Sequence, residues 1–316
     1  MKSVAVLMPH WIGDFVLALS VVTRKAAESD DTITLIVPQH LIPLCTLLTP
    51  LPYFPYRRAT RKELLQSIGG VKRQNFDKLY ILTHSLSSAW FALRSGIPIR
   101  RGVSGELLSP FLTQTITPVG KNSIDHLTRD YADILEVSYQ EPEAWEGVPI
   151  SAAADCRNVV ALCPGSNHGP AKQWQGFREI VKILPSYDFV ILGDKNDNPV
   201  AKIVASHLPH RVRNLAGKTT IEAAASIMAA ASIVISNHSG LMHLAGYIGT
   251  PVVGIFGSSS AIRHRPLGAA IRCASAEAPC RGCNKGTCSR KDYICLNAVT
   301  PELVIKLAGE IVRTGS

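Results

Sequence analysis

Residues 233–257 read Ile-Val-Ile-Ser-Asn-His-Ser-Gly-Leu-Met-His-Leu-Ala-Gly-Tyr-Ile-Gly-Thr-Pro-Val-Val-Gly-Ile-Phe-Gly, and no other stretch restricts the fold so strongly. Two short, apolar, β-branched runs, 233–235 and 252–256, are of the kind buried on both faces of a parallel sheet. Between them Ser236, Asn237, His238, Ser239 and Gly240 place small and polar side chains where a helix should open, and Gly249-Thr250-Pro251 breaks the chain before the second run. Strand, helix and strand in this order form a crossover unit, which commits the chain to an α/β fold. The opening N–H groups of such a helix face outward at its positive end, where an anion, most often phosphate, is favoured. A plainer local reading is that Ser236 and Asn237 only cap the helix and that His243 is packed in the core.

A length of 316 residues suits two domains of about 150 each. With 46% hydrophobic and 18% charged residues, both can bury a core. Lys and Arg exceed Asp and Glu by 33 to 24, so the expected partner is anionic: a nucleotide, a phosphorylated glycan, an acidic membrane surface or a nucleic acid. Pro9, His10 and Asp14 interrupt the first apolar run before a signal-peptide core can form, and no run of about 18 apolar residues occurs elsewhere. The expectation is a soluble, cytoplasmic protein.

Taken in order, residues 4–8 predict a strand, 9–14 the loop at its carboxyl end and 15–27 a helix with apolar positions at helical spacing. Asp14 then stands at the helix start, beside the crevice where open α/β sheets bind ligands, or serves only as its cap. Strands are expected at 32–37 and 79–82, helices at 38–48, 89–94 and 126–135, and an edge strand at 99–103. Arg57, Arg58, Arg61, Lys62, Lys72 and Arg73 form a basic run, read as a solvated face or as an acceptor or membrane-surface patch. Residues 141–155 read as the linker between domains 1–150 and 151–316. The second domain restarts the pattern with strands at 159–163 and 189–192, the loop 164–174, the turn 193–198, helices at 199–207 and 221–231, and a final helix after Pro301.

Several of these loops together resemble the glycosyltransferases that include the ADP-heptose:lipopolysaccharide heptosyltransferases, glycosyltransferase family 9. The matching segments are Trp11-Ile-Gly-Asp14, Pro164-Gly-Ser166 with Ala171-Lys-Gln-Trp174, Leu192-Gly193, 214–219, 236–245 and 249–253. The cysteine tail and Pro301-Glu-Leu-Val304 are most similar to the branch that adds the second heptose. The resemblance implies a GT-B architecture: two Rossmann-like, doubly wound domains facing across a cleft, the acceptor on the first and the nucleotide sugar on the second.

It also implies inverting, metal-independent transfer of a heptose from ADP-heptose to the lipopolysaccharide inner core, with peripheral contact with the inner membrane surface and no nucleic-acid partner. Such transfer needs a base for the acceptor hydroxyl and positive groups for the departing diphosphate. Asp14 is the implied base. Lys172 and the amides of Gly165 and Ser166 are placed for the diphosphate, with Ser239, Gly240 and His243 at the donor-domain helix. Asp194 or Asp197 is implied at the ribose or adenine, or is a helix cap. His238 stands where the family usually has an aspartate that binds the donor sugar, and an imidazole can donate where a carboxylate only accepts.

Cys280, Cys283, Cys288 and Cys295 follow C-x2-C-x4-C-x6-C, whereas Cys45, Cys156, Cys163 and Cys273 are scattered. Three readings stay open for the cluster: a structural zinc or iron site, disulfides, or free thiols in a packed loop. Rival functions are a sugar-nucleotide epimerase or hydrolase of the same fold, and a basic nucleic-acid binder with a zinc knuckle, which lacks aromatic interleaving. A serine hydrolase is disfavoured because His238, not a serine, stands at the centre of the would-be nucleophile elbow, which also lacks its first glycine.

Overall fold

The computed structural model describes residues 1–105, 107–118, 125–154 and 159–312. Cys156 and the end of the expected linker, Asp155, lie outside the described residues. The chain divides into two compact units, Met1–Gln140 and Glu141–Ser316.

The first unit alternates β1 (Ser3–Leu7), α1 (Ile12–Glu28), β2 (Thr32–Pro38), α2 (Ile42–Leu48), β3 (Tyr53–Tyr56), α3 (Arg61–Lys72), β4 (Lys78–Ile81), α4 (Leu86–Ser95), β5 (Ile99–Val103), β6 (Gln114–Ile116) and α5 (Leu127–Leu135). Its strands make one sheet in the order β3-β2-β1-β4-β5-β6, with every pairing parallel. Val4, Ala5, Val6 and Leu7 are wholly buried, as a central parallel strand covered by helices on both faces requires. Burying each of its larger side chains contributes about 1.5–3 kcal/mol. α3 opens with a reciprocal capping box, Glu63 N–H to Thr60 Oγ1 and Thr60 N–H to Glu63 Oε2.

The second unit repeats the scheme with β7 (Val160–Cys163), α6 (Phe177–Ile183), β8 (Phe189–Ile191), α7 (Asn198–Ala205), β9 (Val212–Asn214), α8 (Ile221–Ala230), β10 (Ile233–Asn237), α9 (Gly240–Tyr247), β11 (Val252–Phe256), α10 (Ala261–His264), β12 (Ile271–Ser275), α11 (Ile294–Asn297) and α12 (Pro301–Gly309). The sheet order is β12-β11-β10-β7-β8-β9, again all parallel. Strands after β7 run to one side and strands after β10 to the other, so the order reverses between these two neighbours. A doubly wound sheet opens its crevice at such a reversal, beyond the carboxyl ends of the strands.

Three expectations need correction. Strand 99–103 forms, but the edge is β6, because Gln114–Ile116 pairs outside it. The helix expected at 38–48 spans only Ile42–Leu48 as α2, because β2 runs on to Pro38, and the strand β3 follows it: Pro43 falls at the helix start, where its missing N–H costs nothing, and Pro55 lies on the edge strand. The division falls at Gln140/Glu141, before the expected 150/151, because residues 141–149 pack onto the second unit. Trp145 Nε1 donates to Tyr247 O at 2.8 Å, Gly268 N–H to Pro142 O at 2.8 Å, and Arg265 Nε pairs with Glu143 Oε1 at 2.7 Å. Among the described residues, no helix is long and apolar enough to cross a membrane.

Candidate functional site

The reversal point between β7 and β10 brings two loops together, and a buried amide joins them. Asn237, the last residue of β10, is fully buried; its Oδ1 accepts the Trp174 N–H at 3.1 Å and its Nδ2 donates to Pro164 O at 2.7 Å. Local spacing suggested a helix cap for Asn237 and Ser236, but α9 takes Ser239 as N-cap without a side-chain cap bond. Ser236 Oγ instead donates to Asn237 O at 2.7 Å and lies 3.2 Å from Ser239 Oγ. The opening turn of α9 is a helix N-terminus of the kind that favours an anion.

Around this terminus the chain gathers basic side chains. His238 is half-buried, with its ring stacked on Phe256 at 5.1 Å and within 5.3 Å of His243 and 5.4 Å of His264. Its Nδ1 shares a hydrogen bond with Ser259 Oγ at 2.6 Å, so only Nε2 is left for a ligand. Burial, and then the charges of His243, Lys172, His264 and His168, hold His238 well below the ordinary histidine range. Both causes favour the neutral imidazole, and the charges acting on it are all basic. Lys172 closes a 3-10 turn, Pro170–Lys172, in the loop after β7.

Gly165 and Ser166 lie in the same loop, Ser166 buried, its carbonyl receiving Gln173 Nε2 at 3.3 Å. A Cβ on Gly165 would fall 2.1 Å from Asp197 Oδ1, so only glycine lets this loop approach the turn after β8. In that turn Asp194 and Asp197 cap one another: Asp194 Oδ1 accepts Asn196 N–H at 2.7 Å and Asp197 Oδ2 accepts Asp194 N–H at 2.9 Å. Burial raises the Asp197 carboxyl above its ordinary value.

Lys172, Gly165, Ser166, His238, Ser239, Gly240 and His243 therefore all belong to the loops and helix start at this crevice. The sequence reading missed His168, His264 and Ser259. A usable signal was Ser258-Ser259-Ser260, which leaves β11 as Ser236 and Ser239 flank the end of β10.

In the first unit Asp14 is half-buried in the first turn of α1, which begins three residues before the expected start and has Trp11 as N-cap. A carboxylate there is favoured by the positive helix end. His10, in the loop after β1, stacks near His40 at 6.0 Å and Tyr56 at 5.7 Å. Burial and the charges of Arg58 and His40 lower it to about 4. A separate open groove of about 650 Å³ on α3 is lined by Arg61, Lys62, Leu65, Gln66, Gly69 and Arg73.

The sequence profile of glycosyltransferase family 9 (heptosyltransferase) matches residues 64–294, well over half the chain. The chain belongs to this family. It is 25% identical over 339 residues to lipopolysaccharide heptosyltransferase 2 of Escherichia coli strain K12, covering 96% of each chain, and 25% identical over 304 residues to lipooligosaccharide heptosyltransferase 2 of Haemophilus influenzae, covering 84% of this chain and 86% of that one. The solved structure of E. coli ADP-heptose lps heptosyltransferase II superposes with a TM-score of 0.81 over 98% of both chains at 23% identity, so the fold is GT-B. Membership in family 9 makes the protein a glycosyltransferase and sets aside the epimerase, hydrolase and nucleic-acid readings. The profile includes Lys172 and His238 but starts after Asp14.

The cysteine cluster of this family 9 chain lies beside the crevice. Cys280 and Cys288 are half-buried, Cys283 is exposed and Cys295 is buried at the start of α11; all four are free thiols. Burial, and then the charges of Cys280, Cys283 and Cys288, raise Cys295, so those three lie within electrostatic reach of it. Among the described residues, however, no group of three or more His, Cys, Asp or Glu side chains is placed to hold a metal ion. The zinc or iron candidate at Cys280, Cys283, Cys288 and Cys295 thus finds no formed ligand set among the described residues.

Proposed function

We propose that the protein moves a heptose from ADP-heptose to the inner core of lipopolysaccharide, with inversion and without a metal. The observation that carries this is the gathering of Lys172, His168, His238, His243 and His264 at the amino end of α9, a set suited to a nucleoside diphosphate. The heptosyltransferases that the chain resembles supply the sugar and the acceptor of this reading.

In this reading the second unit holds the donor and the first holds the acceptor. Asp14 takes the proton of the acceptor hydroxyl as that oxygen bonds to the anomeric carbon, and the bond from that carbon to ADP breaks on the opposite face. Charge developing on the leaving diphosphate is met by Lys172, the amides of Gly165 and Ser166 and the N–H groups of α9. These cationic and dipolar groups take the place of a divalent ion. Asp194 or Asp197 lies near the nucleoside, and Ser239, Gly240 and His243 border the diphosphate. His238 faces the sugar, and with Nδ1 occupied by Ser259 it makes one hydrogen bond through Nε2 where a carboxylate would offer two oxygens.

The acceptor is anchored in a membrane, and the basic α3 face of the first unit provides a peripheral contact with the acidic inner surface. The deciding experiment is a transfer assay with a panel of nucleotide sugars and a heptose-deficient core acceptor, followed by NMR of the product anomer. Transfer from ADP-heptose with inverted configuration is expected; hydrolysis without transfer, or a preference for another nucleotide, overturns the reading.

A further inference from the structure

The loop that carries the cysteines is hydrogen-bonded by backbone to both walls of the anion site. Ala171 N–H, next to Lys172, donates to Gly286 O at 3.0 Å. On the other wall Asn284 N–H donates to Ser258 O at 2.6 Å and Gly282 N–H to Gly257 O at 3.3 Å, immediately before the Ser259 that holds His238. The contact with the first wall is backbone on backbone. Gly169 has φ +95°, a Cβ there would lie 2.5 Å from Gly286 O, and a Cβ on Gly286 would lie 2.5 Å from His168 O.

Residues 282–286 also include Cys283 and are bracketed by two further cysteines. Cys280 precedes them, Cys288 follows, and Cys295 Sγ lies 3.3 Å from where a Cβ of Gly257 would stand. Gly282 and Asn284 take positive φ values of 72° and 56°, so the segment is a fixed turn whose two faces are both in use.

We infer that residues 282–286 are a positioning element for the transferase site: they set the separation between the loop bearing Lys172 and the loop bearing Ser259, and the chemical state of the surrounding thiols is thereby transmitted to the site that binds a nucleoside diphosphate. No group here touches the reacting atoms. The ligand in this statement rests on the function proposed above, whereas the mechanical link to His238 does not.

Two readouts separate them. The reduced protein is alkylated with a maleimide, and mass spectrometry assigns the adduct to exposed Cys283. The His238 imidazole resonance is then followed by NMR without nucleotide, and ADP affinity is measured by calorimetry. Alkylation is expected to shift the His238 resonance and its titration midpoint and to weaken ADP binding about tenfold, as a displacement costing roughly 1.4 kcal/mol would. ADP is expected in turn to slow the alkylation. Gly286→Ala should act in the same direction, while Cys283→Ser should keep normal affinity and lose the response to maleimide. An unmoved His238 resonance together with unchanged ADP affinity in the Cys283 adduct overturns the link. A moved resonance in a protein that binds no ADP even when unmodified upholds the link and overturns the donor assignment.

Discussion

Asn237 Oδ1 accepts the backbone N–H of Trp174 at 3.1 Å, and through this bond the end of β10 is tied to the loop after β7. The same side chain donates to Pro164 O at 2.7 Å, so a single buried amide holds both partners that line the crevice. Neither bond can be replaced by water where Asn237 is wholly buried.

Asn237→Ala should therefore cost about 2–4 kcal/mol, because two bonds go and a buried N–H and a buried C=O lose their partner. Urea denaturation measures it, with an unchanged slope expected. A loss below about 0.5 kcal/mol, the range of an ordinary surface change, would show that the tie is not structural.

Asp14→Asn removes the proposed base without changing the volume of the side chain. Turnover should fall by about 10²–10⁴, while ADP affinity stays unaltered. Wild-type turnover in this variant would reduce Asp14 to a first-turn acid that favours α1.

Lys172→Ala should raise the KM for the donor and lower kcat together, since its charge is needed both for the bound diphosphate and for the leaving group. Transfer should persist in EDTA. Activity that vanishes in EDTA and returns with Mg²⁺ would mean that an ion, not Lys172 and α9, meets the diphosphate charge.

His10 and His238 both have folded values below the unfolded histidine value of about 6.5. A lowered folded value means that the unfolded chain binds more protons, so stability is fully present above about pH 6.5 and declines as pH falls through that value. For His10 the decline continues to about pH 4. Carboxylates titrate at the lower end of this window, so the comparison must be between variants. His10→Gln and His238→Gln should each flatten the stability curve below pH 6.5 relative to wild type. Parallel curves would mean that neither histidine is held neutral.

The sequence alone determined the α/β class, the crossover unit at 233–256, the long helices and the loops that carry Gly165, Lys172 and His238, because hydrophobic period and Gly-Pro breaks are local signals. The family resemblance was also legible there, since it lies in the order and spacing of short motifs. Strands β3, β6, β9 and β12 were not legible. They are edge or near-edge strands of three to five residues whose pairing comes from neighbours far along the chain. Asn237 read as a helix cap because a sequence displays only adjacent partners, whereas its real partners are 63 and 73 residues away. The convergence of His168, His243 and His264 on His238 and the backbone contact of Gly286 with the loop before Lys172 were likewise decided only by tertiary structure. Parallel strands align the ends of distant segments, and the chemistry of the site resides in side chains that meet only once the sheet has formed.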